Sequence, residues 1–310
     1  MRSVVGIDSS NYTSSCAVWQ AGEIVANEKQ LLPVKNGELG LRQSDAVFHH
    51  VKNLPAIIEA ALSGAHTPSA VGVSVRPRDA QGSYMPCFLA GASMARAMAA
   101  ALKIPLYEFS HQAGHIAAAL YSAGRLDLLE QKFIAFHVSG GTTEALLVTP
   151  DATTSVHCEL IAKSLDLKAG QAVDRVGQLL GLPFPAGMAL DALAVQGKSP
   201  MRPRPVFKDC DVHFSGLENQ AAELLRRGAC AQDIARYCID YILAALDGMT
   251  EGLLKKYGEL PLLFAGGVMS NSTICAALTE KYGAHFAKPA FSSDNAAGIA
   301  VLTARKENLL

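Results

Sequence analysis

The sequence lacks several features that would place it in a specialised class. Its seven cysteines include no Cys-x-x-Cys pair, which argues against a thiolate zinc site or a disulfide framework and favours reduced thiols. No apolar run approaches the ~20 residues that a membrane span requires. The first residues enter a strand-like pattern without the apolar core of a signal peptide. We therefore expect a cytoplasmic protein with no membrane segment.

An excess of charge is also missing. The formal net charge is −1, so any contact with nucleic acid must be local or shared with another subunit. The chain has 310 residues, of which 50% are hydrophobic, and can bury a large core. This length suits two domains of about 150 residues better than one.

Two parts of the chain follow the same pattern. Residues 3–8 and 133–138 each read as a buried strand, and each is followed by a turn of small residues and a returning strand. Each part also has a later buried strand that leads through a loop into a helix. We infer a duplicated α/β fold with two lobes, 1–130 and 131–310, of the kind that actin-like and sugar-kinase-like proteins use to hold a nucleotide in the cleft. The last helix is expected to pack back on the N-terminal lobe.

Two histidines lie four residues apart in a predicted helix. Ser110 can cap the start of this helix, and Gly124 can end it. His111 and His115 then share a face, so both imidazoles can hold one divalent cation while an oxygen ligand comes from elsewhere. Two histidines at this spacing are also common as surface or satisfied core residues.

A glycine turn follows the first strand of the second part. The backbone N–H groups of Ser139, Gly140 and Gly141 can point toward a phosphate, although a plain hairpin turn has the same sequence. His137 precedes this turn and is either a further metal ligand or a strand residue that faces the cleft.

Three more residues follow in a helical region and a turn. Asp174 lies off the apolar stripe of its helix, where it can bind a ribose hydroxyl or remain a solvated carboxylate. Gly187 belongs to a turn that would let the backbone approach a ligand. Asp191, one helical turn further on, can point to the same place.

Two polar residues lie at later helix starts. Asn271 follows two glycines at a strand-to-helix junction, where unpaired N–H groups can meet an anion, although a tight packed turn is the alternative. Asp294 is either a helix cap or an oxygen ligand of a metal.

Taken together and in order, these stretches resemble the TsaD-type family of tRNA threonylcarbamoyladenosine synthases, once classed as sialoglycoprotein endopeptidases. The resemblance runs over essentially the whole chain. The matching segments are residues 111–115, 138–141, 170–174, 179–187, 214–217, 265–271 and 293–296.

The resemblance implies an actin-like fold with a nucleotide and a metal ion in the cleft between its lobes. The implied ligands of an iron, zinc or magnesium ion are His111, His115 and Asp294, with His137 as a fourth. The nucleotide would be threonylcarbamoyl-AMP or ATP, ADP or AMP. Its implied contacts are Ser139, Gly140, Gly141, Asp174, Gly187, Asp191 and Asn271.

The implied reaction moves a threonylcarbamoyl group from threonylcarbamoyl-AMP to N6 of the adenosine 3′ of a tRNA anticodon. It needs no protein nucleophile, so no catalytic residue is assigned. The implied partners are tRNA and the other subunits of a threonylcarbamoylation complex, and a homo- or heterodimer is expected.

The chain departs from the family pattern where the acceptor would bind. Residues 8–14 read Asp-Ser-Ser-Asn-Tyr-Thr-Ser, so the family's acidic pair is replaced by Tyr12 and Thr13. A Gly-Pro-Gly loop is replaced by residues 75–83, which contain Arg76 and Arg78. A diverged relative that carbamoylates a non-tRNA acceptor, or a non-catalytic subunit that binds nucleotide, is therefore an alternative. A peptidase is disfavoured because His111 lacks the following Glu of a His-Glu-x-x-His base.

Overall fold

The computed structural model describes residues 2–10, 12–34, 41–291 and 295–310. The chain forms two compact units. Unit 1 comprises Met1–Gln131, Thr149–Cys158 and Ala290–Leu310, and unit 2 comprises Lys132–Val148 and Glu159–Pro289. Across the described ranges, no helix is both long enough and apolar enough to cross a bilayer.

The elements alternate between strands and helices. The first part contains β1 (Ser3–Ser10), β2 (Thr13–Gln20), β3 (Glu23–Leu31), α1 (Gln43–Leu62), β4 (Ala70–Arg76), α2 (Phe88–Leu102), β5 (Leu106–Ser110), α3 (His111–Ala123) and a 3-10 helix at Leu126–Glu130. The second part begins with β6 (Phe133–Val138), β7 (Thr143–Asp151), β8 (Ser155–Lys163), α4 (Ala169–Leu179) and α5 (Gly187–Ala194). It continues with β9 (Val206–Lys208), β10 (Asp211–His213), α6 (Ser215–Arg226), α7 (Ala231–Tyr257), β11 (Leu262–Ala265), α8 (Ser272–Tyr282), β12 (His285–Phe286) and α9 (Ala297–Lys306), with 3-10 helices at Gly267–Ser270 and Pro289–Phe291.

The two five-stranded sheets have the same topology. Their orders are β3-β2-β1-β4-β5 and β8-β7-β6-β11-β12. In the first sheet β1 is antiparallel to β2 and parallel to β4. In the second, β6 is antiparallel to β7 and parallel to β11. The predicted α/β fold and its duplication are therefore confirmed.

Glycines let α9 pack tightly within unit 1. A Cβ added at Gly298 would lie 1.8 Å from the carbonyl oxygen of Gly114, and one at Gly6 would lie 2.3 Å from the amide nitrogen of Ala300. Only hydrogen fits at these contacts, so α9 lies directly against α3 and β1. This packing fixes the position of α3, the helix that carries the two predicted metal-binding imidazoles.

The core of unit 2 surrounds its sheet. Phe136 on β6 and Phe264 on β11 are buried and stack with ring centroids 4.5 Å apart. α7 contributes a long buried stripe, which includes Tyr237 and Tyr241, to the same core. The proline- and arginine-rich sequence of residues 199–209 predicts an irregular surface loop. This prediction is wrong in its last part, because residues 206–208 form β9 and pair with β10. The sequence pattern places the turn after the first strand at residues 9–13, which is too long, because β1 extends to Ser10 and β2 begins at Thr13.

Candidate functional site

The helix α3 begins and ends as its sequence predicts. The Ser110 hydroxyl accepts a hydrogen bond of 3.1 Å from the amide of Ala113, and Gly124 ends the helix with a left-handed φ of 68°. The rings of His111 and His115 lie on one face, with centroids 4.3 Å apart and planes inclined by 73°. The structure therefore brings these two predicted metal ligands together.

Asp8, which sequence reasoning did not assign to the site, orients one of these rings. Its carboxylate is 1% exposed, and Oδ1 lies 2.9 Å from Nδ1 of His111. The Ser74 hydroxyl donates to the same oxygen. Because a carboxylate only accepts, the ring donates from Nδ1, and in the neutral imidazole Nε2 is then the nitrogen that can ligate a metal. Oδ2 is buried and has no hydrogen-bond partner among the described residues. The signal that would have found Asp8 is an acid near the end of a buried strand.

The remaining predicted ligands are in other parts of the chain. His137 lies on β6 of unit 2, paired with Glu144 of β7. Asp294 lies outside the described residues. In the described part of either unit, no three His, Cys, Asp or Glu side chains form a group that could hold a metal ion. Two imidazoles on one face, one of them oriented by a carboxylate, are donors that suit a divalent cation, and the metal site stays a prediction.

The loop after β4 is tied to the start of α3. Arg76 contacts Oδ1 of Asp79 through Nη2 at 2.7 Å, and Asp79 accepts a hydrogen bond of 2.7 Å at Oδ2 from the Ser110 hydroxyl. Asp79 therefore balances the charge of Arg76, the last residue of β4. If the acceptor is not tRNA, Arg76 and Arg78 are candidates to bind an anionic group of it, and this contact weakens that interpretation for Arg76.

Unit 2 contains a cavity of ≈ 450 Å³, a size typical of small-molecule sites. Five of the seven predicted nucleotide contacts line it, namely Gly140, Asp174, Gly187, Asp191 and Asn271. Ser139 and Gly141 belong to the turn that holds Gly140. The other lining residues are Gly170, Val173, Phe184, Pro185, Met188, Ile239, Ile242, Gly267, Val268, Ser270 and Ile274.

The glycine turn is pressed against the first turn of α4. The amide of Gly170 donates to the carbonyl of Ser139 at 3.1 Å, and a Cβ added at Gly170 would lie 2.6 Å from the amide nitrogen of Gly140. By contrast, a Cβ at Gly140 or Gly141 would meet no atom within 4 Å. Their backbone is therefore open to a ligand, while Gly170 is required for the close approach.

Both acids of the cavity are held by hydrogen bonds. Asp174 accepts a bond of 2.8 Å from the amide of Ala186 and so fixes the turn before α5. The Asn271 amide donates to Asp191, and its oxygen accepts a bond of 2.9 Å from the amide of Ile274, which caps α8. Burial raises the pKa of Asp191, and the hydrogen bond from Asn271 opposes this shift.

An apolar rim at the cavity was missed by sequence reasoning. Phe184 is 84% exposed and Met188 is 88% exposed, and both line the cavity. Large apolar side chains at this exposure suit a planar apolar ligand. Nothing in the sequence distinguishes them from ordinary turn and helix residues.

The segment at residues 214–217 has a structural role in unit 2. Asp166 accepts hydrogen bonds from the amides of Phe214 at 2.7 Å and Ser215 at 3.2 Å, at the start of α6. Burial raises the pKa of Asp166, but hydrogen bonds from Ser215, Phe214 and His213 outweigh it and lower the pKa to about 2. The carboxylate therefore stabilises the N-terminus of α6.

Solved structures share the fold of this chain. HypF in its phosphate- and nucleotide-bound form matches with a TM-score of 0.60 and 14% identity, over 99% of this chain and 55% of HypF. A ROK family protein from Streptococcus pneumoniae matches with a TM-score of 0.56 and 11% identity, over 99% of this chain and 100% of that protein. These likenesses support the actin-like, sugar-kinase-type architecture.

Curated relatives are more similar in sequence. The tRNA N6-adenosine threonylcarbamoyltransferase of Enterococcus faecalis is 32% identical, in an alignment that covers 89% of this chain and 80% of the relative. The enzyme of the same name from Geotalea uraniireducens is 31% identical, in an alignment that covers 96% of this chain and 89% of the relative. A probable bifunctional tRNA threonylcarbamoyladenosine biosynthesis protein of Thermoplasma acidophilum is 28% identical over 272 residues, 86% of this chain and 48% of that protein.

The family model described as TsaD, tRNA N6-adenosine threonylcarbamoyltransferase, matches residues 22–301. With this span and these relatives, the chain belongs to the TsaD family.

Proposed function

We propose that this protein transfers a threonylcarbamoyl group from threonylcarbamoyl-AMP to N6 of the adenosine 3′ of a tRNA anticodon, with a divalent metal ion bound. The observation that carries the proposal is the unit 2 cavity, where five residues chosen as nucleotide contacts converge. The family supports the type of reaction and the tRNA acceptor.

In this proposal the cavity binds the adenylate part of the donor. The open backbone at Gly140 and the N-terminus of α4 favour the phosphate. Asp174 and Asp191 accept hydrogen bonds from ribose hydroxyls, as acids do in other nucleotide sites. Phe184 and Met188 cover an apolar face of the base. Each group of the nucleotide thus has a partner of matching chemistry.

His111 and His115 would hold the metal ion, with Asp294 and His137 as further ligands. When bound, an iron, zinc or magnesium ion would stabilise charge that develops on a carbamoyl or phosphate oxygen. Asp8 keeps the Nδ1 proton on His111, so Nε2 is presented as the ligand atom.

The bond changes need no covalent link to the protein. The N6 amine of the adenosine attacks the carbamoyl carbon, the bond from this carbon to the phosphate oxygen breaks, and the amine proton is lost. AMP is the leaving group and takes the electron pair. The role of the protein is to place the two substrates together and to stabilise the departing phosphate.

The proposed partners are tRNA and the other subunits of a threonylcarbamoylation complex in the cytoplasm. The Thermoplasma relative is named as bifunctional and is about twice as long as its match to this chain, which spans 48% of it. A second function joined to the same domain in a relative favours a partner that acts beside this chain.

The test is a transfer assay with purified full-length protein, unmodified tRNA, labelled threonine, bicarbonate, ATP and an enzyme that forms threonylcarbamoyl-AMP, with partner subunits supplied. The expected result is labelled threonylcarbamoyladenosine in the tRNA. A chelator or His111→Ala should abolish the product. AMP binding without transfer under these conditions would contradict the proposal and favour a non-catalytic subunit.

One observation favours a second candidate, a transferase for another acceptor. Tyr12, which replaces a family acid, is 40% exposed at the tip of the β1–β2 hairpin. The same assay separates the two candidates. Consumption of threonylcarbamoyl-AMP that depends on a small-molecule or protein acceptor, with no label in tRNA, would establish the second.

A further inference from the structure

Unit 2 carries a short basic segment, residues 198–208, which we call the basic arm. Its cations are Lys198, Arg202, Arg204 and Lys208, and it contains no acid. All four side chains are exposed. Within the part of the chain that the structure describes, none of the four side chains forms a salt bridge or hydrogen bond. The arm is therefore a local concentration of positive charge on a chain of net charge −1. Acids lie near both of its ends, because Asp233 binds the Lys198 amide and Asp211 pairs with Lys208 across the β9–β10 hairpin. Arg202 and Arg204, in the middle, carry the charge that is least balanced.

The arm is fixed to α7 at its start. A Cβ added at Gly197 would lie 2.0 Å from the carbonyl oxygen of Gln232, so the backbone there lies directly on the helix. The amide of Lys198 also donates to Asp233 at 2.8 Å. Both contacts are to the first turn of α7.

The arm is also fixed to α7 at its end. The Phe207 ring lies over Gly248, where an added Cβ would lie 2.4 Å from Cζ of that ring. Just beyond the arm, Sγ of Cys210 would lie 3.1 Å from a Cβ at Gly252. Glycines four residues apart on α7 thus provide a groove for the hairpin of β9 and β10.

These two anchors keep the arm extended. From Gln232 to Gly248 the axis of α7 rises about 24 Å, at 1.5 Å per residue. The ten residues from Gly197 to Phe207 reach at most about 36 Å. The arm therefore spans roughly two-thirds of its fully extended length, and its charged side chains are spread along the helix.

Prolines hold the arginines in one orientation. Pro203 and Pro205 follow Arg202 and Arg204 and restrict both arginines to extended backbone. Both prolines are half-buried, whereas both arginines are exposed. In extended chain, residues two apart face the same side, so both guanidinium groups point to solvent. Little backbone entropy remains to be lost when they bind a partner.

We propose that the basic arm binds the sugar-phosphate backbone of RNA. This inference rests on the proposed function, in which tRNA is the acceptor. One guanidinium group can donate two parallel hydrogen bonds to the oxygens of one phosphate. The net charge of the chain is −1, so a general positive charge does not supply this binding. Met201, 45% exposed, and Val206, 62% exposed, add apolar contact to ribose between the charges.

The test compares full-length wild-type protein with the double variant Arg202→Gln/Arg204→Gln, with an unmodified tRNA transcript as the probe. The matched control is Lys255→Gln/Lys256→Gln, which removes two exposed charges from the end of α7. Binding is measured over a series of salt concentrations. Removal of two phosphate contacts should reduce the slope of log K against log salt by about 1.5 and the low-salt affinity by about 10-fold or more.

Unchanged binding by the arm variant, or an equal loss in the control, would overturn the proposal. Wild-type protein that binds no RNA would also overturn it. Polyglutamate and anionic vesicles are added as competitors at the same concentration of negative charge as the tRNA. Displacement of tRNA by polyglutamate would identify an acidic protein as the partner instead, and displacement by vesicles would identify a membrane. AMP binding and transfer are measured on the same samples. If RNA binding depends on the arm but the wild-type protein transfers nothing, only the proposed function is contradicted. If the arm variant binds RNA and transfers normally, only the proposed role of the arm is contradicted.

Discussion

The buried carboxylate of Asp8 and the half-buried ring of His111 form a pair, with Oδ1 of the carboxylate 2.9 Å from Nδ1 of the ring. Carboxylates that orient metal-ligating histidines typically contribute 10–100-fold to metal affinity. We predict that Asp8→Asn lowers the affinity for Zn²⁺ or Fe²⁺ by about 10-fold or more, measured by calorimetry on the full-length protein.

The control for this prediction is Asp151→Asn, which alters a hydrogen-bonded carboxylate in the turn between β7 and β8, away from His111. It should keep the wild-type metal affinity. An affinity of Asp8→Asn equal to that of the wild type would show that the carboxylate does not orient a ligand.

Gly170 and Gly141 are a matched pair of glycines at the proposed phosphate site. A Cβ at Gly170 would lie 2.6 Å from the Gly140 amide, whereas one at Gly141 would meet open space. We predict that Gly170→Ala displaces the turn and weakens AMP binding by about 10-fold or more, since overpacking costs about 1–3 kcal/mol. Gly141→Ala should keep the wild-type fold and thermal stability. Equal AMP affinities in Gly170→Ala and the wild type would show that the glycine turn does not bind the nucleotide.

The carboxylate of Asp191 should lower the stability of the fold and strengthen the binding of AMP. Burial raises its pKa, so its carboxylate destabilises the fold increasingly as pH rises through the folded pKa. Asp191→Asn keeps an acceptor for Asn271 and should raise the melting temperature near neutral pH. This gain should disappear below the ordinary carboxyl pKa of 3.8, where the wild-type group is protonated in both states. AMP affinity should fall about 10-fold because a charged acceptor is lost. A melting temperature below that of the wild type at neutral pH would contradict this account.

Asp166 should show the opposite dependence on pH. Its folded pKa of about 2 lies below the ordinary 3.8, so its stabilisation is present above 3.8 and is lost as pH falls toward 2. Asp166→Ala should reduce the free energy of unfolding near neutral pH by about 2 kcal/mol. Denaturant unfolding of both proteins at neutral pH and near pH 2 measures this difference. If Asp166→Ala lowers the free energy of unfolding by the same amount at both pH values, the charge of Asp166 is not the cause of the loss.

Local chemistry made much of the fold predictable. The boundaries of α3 follow from a serine cap and a terminal glycine. The sequence pattern also predicts a strand at 133–138 and helices at 88–102 and 272–282, and β6, α2 and α8 have these limits. Three of the predicted nucleotide contacts that line the cavity also have a local signal in the sequence. Gly140 follows a strand, Asn271 begins a helix, and Asp174 lies off the apolar stripe of its helix. These features depend on neighbours in the sequence.

Long-range contacts were not predictable in this way. Asp8 reaches His111 across 103 positions of the chain, and the anchor at the end of the basic arm depends on glycines of α7 that look like ordinary helix interruptions. The strand β9 was missed because its three residues follow a proline-rich stretch and are paired only with β10. The exposure of Phe184 and Met188 depends on how α5 packs, which no local pattern reports.

The most direct measurement is complementation of a bacterial strain depleted of its own threonylcarbamoyltransferase, with modified nucleosides of total tRNA quantified by mass spectrometry. We predict that the wild-type gene restores threonylcarbamoyladenosine, and that genes carrying His111→Ala or Gly170→Ala do not. If the wild-type protein is expressed with its partner subunits and the modified nucleoside stays absent, the proposed transfer to tRNA is wrong.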